Sequence, residues 1–121
     1  TIFADICTID LAERQFDAVT SIYCLFHIEH EKHEDIFRKI YRWLKPGGLA
    51  LFTYATQEYT GAHIFNGYKE FMGENLFYSH TTPENMTATL KSAGFKIESL
   101  QYRNIGGETF LWVTIFKPVI L

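Results

Sequence analysis

The sequence predicts an α/β fold in which a mostly parallel sheet closes on an antiparallel hairpin. Three observations carry that expectation. Residues 16–28, FDAVTSIYCLFHI, form a nearly unbroken apolar run with β-branched Val19, Thr20 and Ile22, as expected of a strand buried on both faces. Residues 37–54, FRKIYRWLKPGGLALFTY, pass from a basic amphipathic run through Pro-Gly-Gly straight into a second apolar run. Residues 95–117 hold two strand-like runs around Asn104-Ile105-Gly106-Gly107, a hairpin signal.

Each element follows from local chemistry. The opening TIFADI is a short extended segment ending near an acid. After the first buried run, residues 31–44 read as a helix, because Ile36, Phe37, Ile40, Tyr41 and Leu44 recur at helical spacing. Glu31, Glu34 and Asp35 stand near its start and Arg38, Lys39 and Arg42 near its end, which complements the helix dipole. Pro46 cannot continue the helix, and Gly47 or Gly48 is expected to close it in the left-handed conformation. LALFTYA then forms the next strand, completing a strand–helix–strand unit with a right-handed crossover.

Residues 55–82 mix aromatics, glycines and polar residues without a sustained period, so a long lid or binding loop is expected there. A second helix begins near residue 82, either with Thr82 as cap and Pro83 in first position or with Thr81 and Glu84 as a capping box. Met86, Leu90 and Ala93 give its packing stripe, and Gly94 stops it.

Composition narrows the function. The chain has 121 residues, 47% hydrophobic and 21% charged, which suits one compact domain or a piece of a larger one. Its net charge is −3 and it has no basic block, which argues against a nucleic-acid partner. No apolar run approaches the roughly 20 residues that span a bilayer. Cys7 and Cys24 make neither a disulfide framework nor a metal spacing, and are expected as buried thiols in a reducing cytosol. His27, His30 and His33 invite a metal reading. Residues six apart on a helix diverge by about 120°, however, so a solvated acidic helix start is the better account and no metal is expected.

FADI, then FDAVTSIYCLFHI, a helix, LKPGGLALF, SAGFKI and a closing hairpin together resemble the later two-thirds of a class I S-adenosylmethionine-dependent methyltransferase of the small-molecule type. The resemblance implies a partial Rossmann-like fold, with strands in the order 4-5-7-6 and the seventh antiparallel. It makes residues 1–121 the C-terminal portion of a single domain cut ahead of Thr1, with 55–82 as an acceptor-side lid. S-adenosylmethionine is the implied cofactor. Asp5 matches the acid that accepts from the adenine amine, Ile6 the residue beside the ring, and Ser21, Ile22 and Tyr23 the strand end that meets the methionine part. His27 matches a histidine suited to serve as general base. The loop aromatics Tyr54, Tyr59, Phe65, Tyr68, Phe71, Phe77 and Tyr78, with His63 and His80, stand where the family builds its acceptor pocket, and Tyr54, Tyr59, Tyr78 and His80 are the residues assigned to it.

The family's Gly-rich loop and the acid after its second strand have no counterpart here, so the chain is expected to be inactive alone. The alternative is an assembly module that keeps half of the fold. It would form a homodimer or strand-swapped pair, or slide Thr1–Asp5 beside the first buried strand. A nicotinamide-dependent Rossmann enzyme is disfavoured by the terminal hairpin and the missing dinucleotide fingerprint.

Overall fold

A computed structural model describes residues 5–119. Its elements are β1 (Phe16–Ser21), α1 (His33–Trp43), β2 (Leu44–Tyr54), α2 (Gln57–Thr60), β3 (Phe65–Phe71), β4 (Glu74–His80), α3 (Pro83–Ser92), β5 (Lys96–Ile105) and β6 (Glu108–Phe116). Four strands form one sheet in the order β1-β2-β6-β5. β1 lies parallel to β2, and β6 runs antiparallel to both β2 and β5. This is the 4-5-7-6 arrangement, with the reversed strand inserted beside β2. Residues 1–4, which would have to pair beside β1 in the sliding-strand expectation, lie outside the described residues.

The helices cover one face of the sheet. α1 turns Ile36, Phe37, Ile40 and Trp43 inward, and α3 adds Met86 and Leu90. These pack on Ala50, Phe52 and Tyr54 of β2 and on Leu111, Val113 and Ile115 of β6. The cross-strand pairs Ala50–Ile115, Phe52–Val113 and Tyr54–Leu111 hold that face in register. The opposite face carries Leu49, Leu51 and Thr53 opposite Phe116, Thr114 and Trp112. Leu49 there is 44% exposed. β1 is accordingly half exposed rather than buried on both faces, because the described helices cover a single side. It is also shorter than its apolar run, since the chain leaves the sheet after Ser21 and Leu25–His27 form a 3-10 turn.

The Pro-Gly-Gly stretch meets expectation in part: Gly47 takes a positive φ of +85, but it does not close the helix. α1 ends at Trp43, and Pro46, Gly47 and Gly48 already belong to β2. The helix end is capped from far along the chain: the Lys117 ammonium donates to the carbonyls of Tyr41 (2.9 Å) and Leu44 (3.0 Å). The glycines serve the sheet instead. β1 and β2 slip register between Phe16–Leu44 and Ala18–Leu49. A Cβ on Gly48 would stand 2.9 Å from the Lys45 carbonyl and 3.0 Å from that of Asp17, so only glycine fits this close approach.

α3 starts as one of the two caps requires, with Thr82 Oγ1 accepting from the Asn85 N–H (3.2 Å) and Pro83 in the first turn. The closing hairpin turns through Gly106 and Gly107, both at positive φ. Residues 55–82 are not an irregular loop. After the single turn of α2, β3 and β4 form a separate antiparallel hairpin. Its turn is Met72-Gly73, again both at positive φ. Burial alternates along β3, yet Gly67 and Lys69 occupy the half-buried side, which hides the period in the sequence.

Candidate acceptor site at the end of the parallel strands

Ligand sites in open α/β sheets lie beyond the carboxyl ends of the parallel strands. Here the chain makes a sharp departure at that place. Tyr23 takes φ +53, a conformation rare outside glycine, and its N–H is held by Thr53 Oγ1 at 2.7 Å. The 3-10 turn that follows buries Leu25 and Phe26 and leaves His27 exposed.

An aromatic cluster forms over this turn. Tyr78 stacks on Phe26 (centroids 5.6 Å, 13° between planes), and Phe26 stacks on Phe110 (4.8 Å, 6°). Tyr59 closes on Phe110 at 4.5 Å and donates its hydroxyl to that of Tyr78 at 3.0 Å. Burial, the Tyr78 hydroxyl and the Glu108 carboxylate beside it all push the Tyr59 phenol up, so it stays protonated. A cavity of about 340 Å³ opens next to the cluster, lined by Tyr23, Phe26, His27, Tyr78, Glu108 and Phe110, with Phe71 and Leu76 contributed by the β3–β4 hairpin.

His27 is fixed in this lining by a bond from Nδ1 to the main-chain oxygen of Phe77 at 2.7 Å. A carbonyl oxygen only accepts, so Nδ1 carries the proton in the neutral ring and Nε2 keeps the lone pair. A second tie joins the same elements, from the His30 N–H to Ser79 Oγ at 2.7 Å.

The sequence-derived residues separate into groups. His27, Tyr23 and Tyr78 line the cavity, and Tyr59 braces Tyr78. Tyr54 and His80 lie behind it. The Tyr54 hydroxyl accepts from the Thr81 N–H at 2.9 Å. His80 donates from Nδ1 to the Thr81 carbonyl (2.9 Å) and accepts at Nε2 from the Thr60 hydroxyl (2.6 Å). Burial pushes the His80 imidazole below its usual pKa. Both residues anchor the hairpin's base.

His33 donates from Nε2 to the carbonyls of Leu25 (2.9 Å) and Ile28 (2.8 Å), which explains why this buried histidine follows the turn. Ile22 and Tyr23 are exposed just past β1, and Ser21 is half buried as its last residue. Asp5 is exposed, and its Oδ1 accepts from the Cys7 N–H at 2.9 Å. Ile6 is half buried, and its carbonyl and that of Cys7 face the Lys39 ammonium of α1. Cys7 is half buried, whereas Cys24 is exposed, because it sits at the kink ahead of the 3-10 turn rather than in a strand.

Sequence reasoning missed Phe26, Glu108 and Phe110 as lining residues. They come from a turn and from the first strand residues after a glycine pair, and only the paired sheet brings them together.

The sheet order, the reversed β6 and a site past β1 define a class: the S-adenosylmethionine-dependent methyltransferase fold. Residues 1–52 match the family model described as "Methyltransferase domain". The chain is 31% identical over 95 residues to phosphoethanolamine N-methyltransferase of Plasmodium falciparum, which covers 76% of this chain and 34% of that protein. It superposes on a SAM-dependent methyltransferase from Methanosarcina mazei with a TM-score of 0.76, at 15% identity, over 97% of this chain and 66% of that one. It also superposes on the 1,6-didemethyltoxoflavin-N1-methyltransferase of Burkholderia thailandensis, a complex with its acceptor and S-adenosylhomocysteine, with a TM-score of 0.68 at 19% identity over 96% and 49% of the two chains. Residues 1–52 thus carry the sequence pattern of a methyltransferase domain, and the described chain has the fold of S-adenosylmethionine-dependent methyltransferases. It spans about a third of the length of the curated relative it matches.

Proposed function

We propose that the intact protein moves a methyl group from S-adenosylmethionine to a small-molecule acceptor seated in the aromatic cavity, with His27 as general base. The observation that carries this is the His27 geometry: Nδ1 is tied to Phe77 O, and the ring stands on the lining of a cavity at the ends of the parallel strands. Nε2 is then the atom that receives the proton shed by an acceptor O–H or N–H.

The cofactor, when bound, supplies an electrophilic methyl on a sulfonium. Asp5 and Ile6 would hold its adenine end, since an exposed carboxylate can take up a buried amine that otherwise costs about 1–3 kcal/mol. Ser21, Ile22 and Tyr23 would meet its methionine end. Tyr23 fits that duty, because its positive φ turns the backbone sharply just where β1 stops. The rest of the contribution is alignment and exclusion of water. The β3–β4 hairpin supports it as a lid, placing Phe71, Leu76 and Tyr78 over the cavity.

The test is methyl transfer from labelled cofactor by the intact protein. His27→Gln should abolish most turnover while cofactor affinity persists. Unchanged turnover would remove His27 from the reaction.

A second reading rests on a separate observation. The sheet face bearing Leu49, Leu51 and Trp112 carries no described helix, and among the described residues β1 pairs on one side alone. An apolar face and a strand edge favour assembly, as a homodimer, a strand-swapped pair or a module docked to an N-terminal half. Light scattering on the 121-residue chain separates this reading, since a monodisperse monomer would count against self-assembly. The acidic balance supports a metabolite over a nucleic acid, and two unbridged thiols support the cytosol.

A further inference from the structure

We infer that the acceptor class this cavity selects is an organic cation, an amine in its ammonium form on an apolar body. The inference rests on reading the cavity as the acceptor site.

The lining is dominated by rings. Phe26, Tyr78 and Phe110 stack on one another and present ring edges and apolar surface, while Tyr23, 44% exposed, is the lining ring left free to receive a cation, which an aromatic face attracts within about 6 Å of its centroid. Charge then decides the sign. Glu108 contributes a carboxylate to the lining, and among the described residues no lysine or arginine lines it. A carboxylate or phosphate placed there would be desolvated beside a like charge, whereas an ammonium would be desolvated beside an opposite one. Tyr59 adds no second negative charge, because its phenol is held protonated.

The cluster already receives one alkylammonium. Lys69 of β3 places Nζ 4.5 Å from the Tyr59 ring centroid, and Tyr59 packs on both Phe110 and Tyr78. Glu108 also stands at a place built for constancy, directly after the Gly106-Gly107 turn, where the hairpin register fixes it opposite Ile105. His27 complements this arrangement: an ammonium held by the rings gives up its proton to Nε2 to become the nucleophilic amine.

Three probes of one shape and three charges test the inference: benzylammonium, benzyl alcohol and benzoate. Each is titrated into the 121-residue chain, and again into the intact protein, with binding followed by the shifts of aromatic NMR resonances. Benzylammonium should bind about tenfold more tightly than benzyl alcohol, with benzoate weakest. Glu108→Gln should reduce that preference to about twofold. Tyr23→Leu, at a residue 44% exposed and so tolerant of change, should weaken benzylammonium while leaving benzyl alcohol nearly unaffected.

Equal affinity for all three probes, or an undiminished preference in Glu108→Gln, would overturn the cation selectivity and leave the acceptor site standing. Failure of every probe to shift the cavity resonances would overturn both.

Discussion

The two buried clusters of this molecule behave differently. The larger one, between the sheet and the pair α1 and α3, mixes aliphatic and aromatic residues from five elements and is sealed: Ile36, Leu44, Leu90 and Val113 have no exposed surface. The smaller one, Phe26, Ala55, Tyr78 and Phe110, is aromatic, sits beyond the strand ends and borders a cavity. The first is held by packing. The second is held by polar ties at its edges, His27 to Phe77, His30 to Ser79 and Tyr59 to Tyr78. Close packing and room for a ligand exclude each other, so the fold assigns them to separate clusters.

That contrast breaks most visibly in the sealed cluster. Phe37→Ala should destabilise the chain by about 3–5 kcal/mol, read from urea unfolding, since the 1% exposed ring leaves a cavity that its neighbours cannot close. At the open cluster the separation of roles should appear. His27→Gln should lower turnover of the intact protein by about 10²–10⁴-fold yet cost at most about 1 kcal/mol of stability, the worth of one exposed hydrogen bond. A loss of stability as large as that of Phe37→Ala would merge the two clusters into one.

Lys117→Met tests the long-range cap. It should cost about 1–3 kcal/mol by leaving the carbonyls of Tyr41 and Leu44 without a donor, and amide exchange should accelerate at the end of α1.

The smallest effect is on pH. Burial lowers the folded-state pKa of His33 and His80 below 6.5. Below pH 6.5 the unfolded chain binds protons that the folded chain refuses, so stability falls as pH drops toward those lowered values and rises with pH across the same window. A Tm a few degrees lower at pH 5 than at pH 7 is expected, given about 4–8 °C per kcal/mol in domains of this size. His33→Asn and His80→Asn should each flatten the curve.

How much of this was legible beforehand follows from where the information sits. The strands, the first helix and the closing hairpin were readable from local signals, the apolar runs, the helical spacing and the terminal glycine turn, whereas the strand order came from the family resemblance those motifs carry. The β3–β4 hairpin was not, because Met72 gives no turn signal and Gly67 interrupts the alternation. The helix stop was assigned to glycine, and the cap proved to be Lys117, a residue more than seventy positions away whose role exists only in three dimensions. The site shows the same division. His27, Tyr23, Tyr59 and Tyr78 were approachable by position, while Glu108 and Phe110 carry no local mark.

The tie between His27 and the hairpin has one more consequence. It ends on a main-chain oxygen, not on the side chain of Phe77, and β3 and β4 pair with each other rather than with the main sheet. The orientation of the His27 imidazole is therefore indifferent to what side chain the flap carries at that point. Substitutions on the flap's inner surface would reshape the cavity and leave the ring held in the same direction.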